Sequence, residues 1–316
     1  MVKIDLITGF LGSGKTTFIK EYAKYLINRG ERICIIENDY GAVNVDMVML
    51  QDLLGENCNL EMIVGGDGQE AHRRRFRTKL ISMGMSGYDR VLIEPSGIYD
   101  VDEFFDVLYD EPLDRWYEIG SVISLVDAEA VAELAGIERY VFMSEIANAG
   151  KILITKVSEN TDIGAVEGAV NEIMQEFGGK VFDTEKDFIA KPFSDYESAD
   201  FEQLSSCGYR HASYVKIPIE DKQFTPLFYF DPEMPREELE AITKGLFTDP
   251  NAGGVIRVKG FVKTSDADQV EINATSKEIN ITPAVSSRNV LIIIGEKLNK
   301  DYINEIMKDK CSVVSL

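Results

Sequence analysis

The sequence is poor in the residues that build disulfide and soft-metal frameworks. Four cysteines occur in 316 residues, Cys34, Cys58, Cys207 and Cys311. No two of them are spaced as a C-x-x-C pair, which excludes a disulfide scaffold and reads as reduced cytosolic thiols. Cys34 lies inside an apolar strand pattern and is expected in the core. With two histidines in the chain, a His-rich metal tract is excluded. No apolar run approaches the roughly 18 residues of a membrane-spanning helix. The opening apolar stretch, residues 2–8, is too short for a signal peptide and leads straight into a glycine-rich turn. Positive charge is also scarce: 33 Lys and Arg stand against 54 Asp and Glu, a formal net charge of −21. Such an acidic body repels phosphate backbones and anionic lipid, so no nucleic-acid and no membrane partner is expected, and a cytoplasmic location is the default.

Apolar residues, by contrast, make up 45% of the chain, enough for a sizeable core, and the length suggests two domains. Short apolar segments at 2–8, 32–36, 90–93, 121–126 and 151–154 read as strands. They alternate with helical patterns at 16–29, 101–108, 128–134, 139–147 and 163–177, with Gly30 as a stop signal. That alternation predicts a mostly parallel sheet covered on both faces, a three-layer α/β sandwich. Residues from about 185 to 210 read as a polar linker. Beyond it, strands at 213–219, 254–263 and 290–294, two short alternating strands, and helices at 235–246 and 302–307 predict a smaller α+β domain. The boundary is placed between 195 and 196. No internal repeat or low-complexity tract occurs.

Gly9-Phe10-Leu11-Gly12-Ser13-Gly14-Lys15-Thr16 fits G-x-x-x-x-G-K-[ST], the P-loop. Glycines let successive backbone N–H groups face one concave nest, and the following helix aims its positive end at the same place. Lys15 is expected to reach the terminal phosphates and Thr16 to ligate Mg²⁺. Gly9, Gly12, Ser13, Gly14 and Thr17 complete the cradle. A kinase, an ATPase and a GTPase all start this way. Glu94-Pro95-Ser96-Gly97 closes a buried strand, where a carboxylate can hold the Mg²⁺ shell and Gly97 can offer its N–H to a γ-phosphate. Lys151 to Ser158 runs from a buried strand into a polar loop, where P-loop GTPases carry N-K-x-D. Thr155 stands for Asn, Lys156 fits, and Ser158 stands for Asp. A hydroxyl cannot replace the bidentate acceptor that reads the guanine edge. Glu159, one residue out of register, is the nearest substitute in sequence.

Together these residues resemble the CobW-type GTPases, a group related to the UreG and HypB nickel-insertion proteins and the MeaB-type cobalamin-enzyme chaperones. Gly9 to Thr17 is similar to the family's GFLGxGKTT, Glu37-Asn38-Asp39-Tyr40-Gly41 to its E-N-E-F-G with Asp46 following, and Glu94-Pro95-Ser96-Gly97 to its E-[ST]-S-G. Val126-Asp127-Ala128 is similar to V-D-A, and Val255 to Phe261 to the L-R-x-K-G-[FIL] strand of the second domain. The resemblance implies a P-loop G domain with a smaller C-terminal domain, and slow GTP hydrolysis with Mg²⁺ held by Thr16, Glu94 and Asp39. It also implies delivery of a metal or metallocofactor, cobalamin or another corrinoid among them, to a metalloenzyme or corrinoid-protein client. The expected state is a monomer or a nucleotide-dependent homodimer. One departure is large: the family's G-C-x-C-C motif is replaced by Gly65-Gly66-Asp67-Gly68-Gln69-Glu70, so thiolate coordination is excluded there. Asp67, Glu70 and His72, with Glu37, are the harder ligands available, though a glycine-rich switch loop without a transition metal is the plainer expectation. The basic run His72 to Arg77 reads as the solvated face of a helix, and His211 as a surface or core residue. Two further readings stand beside the chaperone: a P-loop ATPase or kinase acting on a small molecule, and a non-hydrolysing nucleotide-dependent binding module.

Overall fold

The computed structural model describes residues 1–39, 49–64, 69–95, 101–215, 224–264, 268–284 and 289–312. The chain divides into two units, Met1–Pro218 and Ile219–Leu316.

In the first unit the elements run β1 Val2–Thr8, α1 Lys15–Asn28, β2 Ile33–Asp39, β3 Cys58–Val64, α2 Gln69–Met85, β4 Arg90–Pro95, α3 Val101–Leu108, α4 Leu113–Trp116, β5 Tyr117–Asp127, α5 Ile137–Ile146, β6 Lys151–Thr155, α6 Ile163–Glu176, β7 Phe188–Ala190 and α7 Ser198–Leu204. Among the described residues the strands form a seven-stranded sheet ordered β3-β2-β4-β1-β5-β6-β7, and every pairing is parallel. Strands buried on both faces read as continuous apolar runs, and here successive side chains feed two separate cores. Ile4, Leu6, Cys34, Ile36, Val91 and Ile93 pack with Phe76, Leu80 and Phe104 of α2 and α3. Ile7, Ile33, Ile35, Leu92, Ile123 and Leu125 pack with Phe18, Ile19, Tyr22 and Leu204 of α1 and α7. This is the three-layer α/β sandwich expected from the sequence. Because all strands run the same way, the segments that follow β1, β2, β4, β5 and β6 gather at one edge of the sheet, with β1 central.

The helices follow their sequence signals. α1 ends at Asn28 with Arg29 as its C-cap, and Gly30 takes the left-handed conformation of a C′ residue at φ +82°. Its first turn carries no side-chain cap, which leaves those N–H groups for an anion. In α5 every residue from Tyr140 to Ile146 is buried, so the helix is sunk in the fold and carries Glu145 with it.

Three expectations are corrected. The segment near 185–210 is not a linker: it forms β7 and α7, and Phe201 stacks on Tyr22 and Tyr25 of α1 at centroid distances of 6.3 and 5.3 Å. Its scattered aromatics, Phe193, Tyr196 and Phe201, carry the packing that its polar residues hide. It lies within the compact unit Met1–Pro218. The helix expected at 128–134 is one 3-10 turn, Val131–Glu133. Of the strand expected at 213–219, residues 213–215 have no regular structure and the rest lies outside the described residues.

The second unit contains β8 Phe224–Phe230, α8 Arg236–Thr248, β9 Gly254–Lys263, β10 Gln269–Ala274, β11 Ile279–Ala284, β12 Val290–Glu296 and α9 Lys300–Met307. Among the described residues its five strands are ordered β11-β10-β9-β12-β8 and pair antiparallel throughout. Leu239 and Leu246 of α8 and Ile303 and Met307 of α9 close the core over Val258, Ile272 and Ile293. This is the α+β domain expected, with β8 as a strand that the sequence pattern did not reveal.

Candidate functional site

The loop from Gly9 to Gly14 joins β1 to α1. Gly9 has φ +140°, and a Cβ there would lie 2.4 Å from the Leu125 carbonyl oxygen and 2.6 Å from Ser13 Oγ. No side chain fits, so the loop is pressed against β5 and its backbone forms the concave wall. Gly12 and Gly14 also have positive φ, 83° and 91°. The Lys15 ammonium, buried with 7% exposure, donates to the Gly9 carbonyl at 2.7 Å, so the lysine folds back over the loop. Ser13 Oγ is buried with no hydrogen-bond partner among the described residues. An unsatisfied hydroxyl, a backbone cradle that a Cβ would fill and a folded-back cation fit a phosphate chain.

Beside this loop, Thr16 Oγ1 donates to Glu94 Oε1 at 2.9 Å. The strand order explains the meeting, because β4 lies directly against β1. Glu94 is 5% exposed. Together the hydroxyl and the carboxylate are an oxygen pair suited to Mg²⁺. Glu37 and Asn38 end β2 at the same edge, buried at 3% and 1% exposure, and both amide atoms of Asn38 lack a partner among the described residues. Asp39 is the last residue of β2, but its side chain lies outside the described residues, as do Asp46, Asp67 and Gly97. Thr17 sits on the exposed side of α1.

At the end of β6, Thr155 is turned inward. Its hydroxyl donates to the Ser13 carbonyl at 2.9 Å and to the Val126 carbonyl at 3.2 Å, bracing the phosphate loop. Lys156 has φ +55° and pairs with Asp127 at 2.8 Å, so the lysine and the V-D-A aspartate form one unit. Ser158 is exposed, and its hydroxyl lies 3.1 Å from Thr161 Oγ1. Glu159 is also exposed.

One site residue escaped the sequence reading. Glu145 of α5 is 1% exposed and accepts the Gly9 N–H at 3.1 Å. Burial pushes its carboxyl up to about 8, while the Lys15 charge and the Gly9 N–H pull it down. An acid inside the unbroken buried run from Tyr140 to Ala149 was the signal available.

Other candidate groups lie elsewhere. His72 is fully buried on α2, while Arg74 and Arg75 face solvent, so the basic run is a solvated face with His72 and Phe76 beneath it. His211 is exposed, its ring 4.9 Å from that of Tyr209. Among the described residues no three His, Cys, Asp or Glu side chains cluster as a metal site. No described helix is long and apolar enough to cross a membrane. A groove of about 820 Å³ lined by Lys3, Glu31, Arg90 and Trp116 opens at the amino ends of β1 and β4, the edge opposite the phosphate loop. Above it Arg90 pairs with buried Asp5 at 2.6 Å and with Glu31 at 3.0 Å.

Residues 3–180 match the family model "CobW/HypB/UreG, nucleotide-binding domain", and residues 227–311 match "Cobalamin synthesis protein cobW C-terminal domain". The zinc chaperone YeiR of Escherichia coli (strain K12) is 27% identical over 180 residues, which are 57% of this chain and 53% of that protein. The zinc chaperone YjiA of the same organism is 28% identical over 165 residues, 49% of each protein. The chain spans about half the length of the curated relatives it matches. The crystal structure of Zn(II)-bound YjiA GTPase from E. coli aligns over 98% of both chains at 20% identity, with a TM-score of 0.36.

Proposed function

The chain belongs to the CobW/HypB/UreG nucleotide-binding family, and on that premise we propose that it binds GTP with Mg²⁺, hydrolyses it slowly, and uses the cycle to assist a partner protein in handling a metal or metallocofactor. The observation that carries this reading is the pair of contacts at the phosphate loop, Lys15 on the Gly9 carbonyl at 2.7 Å and Thr16 on Glu94 at 2.9 Å. Each holds a group that a triphosphate would recruit.

The roles of the chain's own residues follow. Lys15 leaves the Gly9 carbonyl to neutralise phosphate oxygens, and the uncapped first turn of α1 offers its N–H groups to the same anion. Thr16 and Glu94, with Asp39 proposed as the third, would hold Mg²⁺. When bound, that ion neutralises charge on the phosphates and orients them. Thr155 keeps the loop fixed while the lysine moves. Gly97 is proposed to offer its N–H to the γ-phosphate, which would make its loop the switch that a client reads. No Arg or Gln in these motifs has an obvious water-positioning role, so turnover without a partner is expected to be slow.

The client is proposed to be a metalloenzyme or corrinoid protein. Without cysteine at Asp67, Gln69 or Glu70, remodelling of a cofactor protein is favoured over carriage of a bare thiophilic ion. A second reading, zinc handling, draws on the names of YeiR and YjiA; it would have to use Asp67, Glu70, His72 or Glu37 as ligands. Zinc titration of nucleotide-free protein, with Asp67→Ala as control, separates the two. Turnover of GTP and ATP, with and without Mg²⁺, tests the central reading. Release of phosphate from neither nucleotide would leave a non-hydrolysing binding module, and preference for ATP would leave the ATPase or kinase. Sizing the protein with and without a GTP analogue tests a nucleotide-dependent homodimer.

A further inference from the structure

Glu145 is an unusual neighbour for a triphosphate. Its carboxylate stands behind the first residue of the phosphate loop and is fully buried. The acid is fixed from two sides. The Gly9 N–H donates to Oε2 at 3.1 Å. The backbone of Glu145 is anchored too, because Thr8 Oγ1 and Ser124 Oγ lie 2.8 and 3.1 Å from its carbonyl oxygen. The carboxyl group therefore cannot swing to solvent when charge arrives nearby. Its second oxygen, Oε1, has no hydrogen-bond partner among the described residues. Of the elements packed against it, β1 and β5 present the hydroxyls of Thr8 and Ser124, which carry no charge, and the phosphate loop presents Lys15, whose field acts on it.

We propose that Glu145 is a positioning residue of the phosphate site that must be neutral for a triphosphate to be held, so that in alkaline solution, where the free protein has lost it, nucleotide binding takes up one proton at this side chain. The inference rests on the reading of Gly9 to Thr16 as a triphosphate site. Before binding, Lys15 is folded over the loop on the Gly9 carbonyl, where its charge favours the ionised acid. Binding draws the ammonium onto phosphate oxygens. Glu145 then loses its cation and gains several negative oxygens in a site of low dielectric, and both changes favour the protonated carboxyl. Without nucleotide its pKa is about 8. Below that value the proton is already present and affinity is flat. Above it each binding event must supply one, so affinity falls as pH rises. The neutral acid keeps Oε2 as the acceptor for Gly9 N–H, so the loop stays in place in both forms.

The test is the pH dependence of binding of a slowly hydrolysed GTP analogue with Mg²⁺. In wild-type protein the dissociation constant is expected to rise roughly tenfold between pH about 7 and about 9. The γ-phosphate, with a second pKa of about 6, has already lost its proton there. Glu145→Gln keeps an acceptor for Gly9 and carries no charge; its affinity is expected to stay flat from pH about 7 to about 9. Calorimetry of wild type at pH about 8.5, in two buffers of different ionisation enthalpy, should report uptake of a proton, and this needs no variant. Binding with equal pH slopes in wild type and Glu145→Gln, or heats independent of buffer in wild type, would overturn the inference and leave the phosphate site standing. No binding by wild type at any pH would sink the phosphate site, and this inference with it.

Discussion

The Thr16 hydroxyl donates to Glu94 Oε1 across 2.9 Å. This contact ties the first turn of α1 to the end of β4, and it is where Mg²⁺ would enter. Thr16→Ala removes one oxygen from the pair, and Glu94→Gln removes the charge. Both variants should slow GTP turnover by tenfold or more while changing nucleotide affinity less, because the phosphate chain keeps Lys15 and the loop backbone. Single-turnover rates and dissociation constants measured on the same preparations check this. Wild-type rates in either variant would remove the pair from the mechanism.

Lys15 is expected to govern affinity. Charge-assisted hydrogen bonds contribute about 1.5–3 kcal/mol each, so Lys15→Ala should weaken triphosphate binding by roughly tenfold or more. Calorimetric titration of both proteins measures it. Equal affinities would show that the ammonium stays on the Gly9 carbonyl and never engages phosphate.

Base recognition is expected to be permissive. The exposed Ser158 hydroxyl lies 3.1 Å from Thr161 Oγ1, and a hydroxyl supplies no carboxylate to the guanine edge. GTP should be preferred over ATP by a modest factor, on the order of 10-fold, or about 1.4 kcal/mol. Ser158→Asp should sharpen the preference. A wild-type preference above roughly 10⁴-fold would show that another carboxylate reads the base. Glu159 and the Lys156-paired Asp127 are then the residues to mutate.

The buried pair of Asp5 and Arg90 should matter for stability and not for nucleotide. Removing one partner of such a pair costs about 3–5 kcal/mol, because the other charge is left unpaired. Arg90→Met should therefore lower the denaturation midpoint strongly. Asp5→Leu combined with Arg90→Met should recover most of the loss. Gly120→Ala should act through the same group, because its Cβ would lie 2.4 Å from Asp5 Oδ1. Chemical denaturation of the four proteins checks the set. A double variant no better than Arg90→Met would show that the pair itself, and not the stranded charge, holds the sheet.

Much of this protein was legible along the chain because the physics involved is local. Alternating short apolar runs and helical periods encode a parallel sheet with two covered faces, and G-x-x-x-x-G-K-T encodes its own backbone nest. The strand Gly254–Lys263 and the Gly30 stop were readable for the same reason. Weak local patterns hid β3, β7 and α7: Phe193, Tyr196 and Phe201 look like scattered aromatics in a polar stretch until α1 supplies the rings that Phe193 and Phe201 pack against, with Tyr196 packed on those two. Relationships across distance were silent. Thr16 and Glu94 are 78 positions apart, and Gly9 and Glu145 are 136. Spacing cannot reveal that these pairs touch, because strand order places β4 and β5 on either side of β1. Thr155, which stands for the Asn of N-K-x-D, donates to the Ser13 carbonyl at 2.9 Å, a contact that only the placement of β6 beneath the phosphate loop reveals. Residue types announce a phosphate site in one dimension. The partners that tune its charge are set by which buried helix the sheet draws against it, and burial is a property of the folded chain.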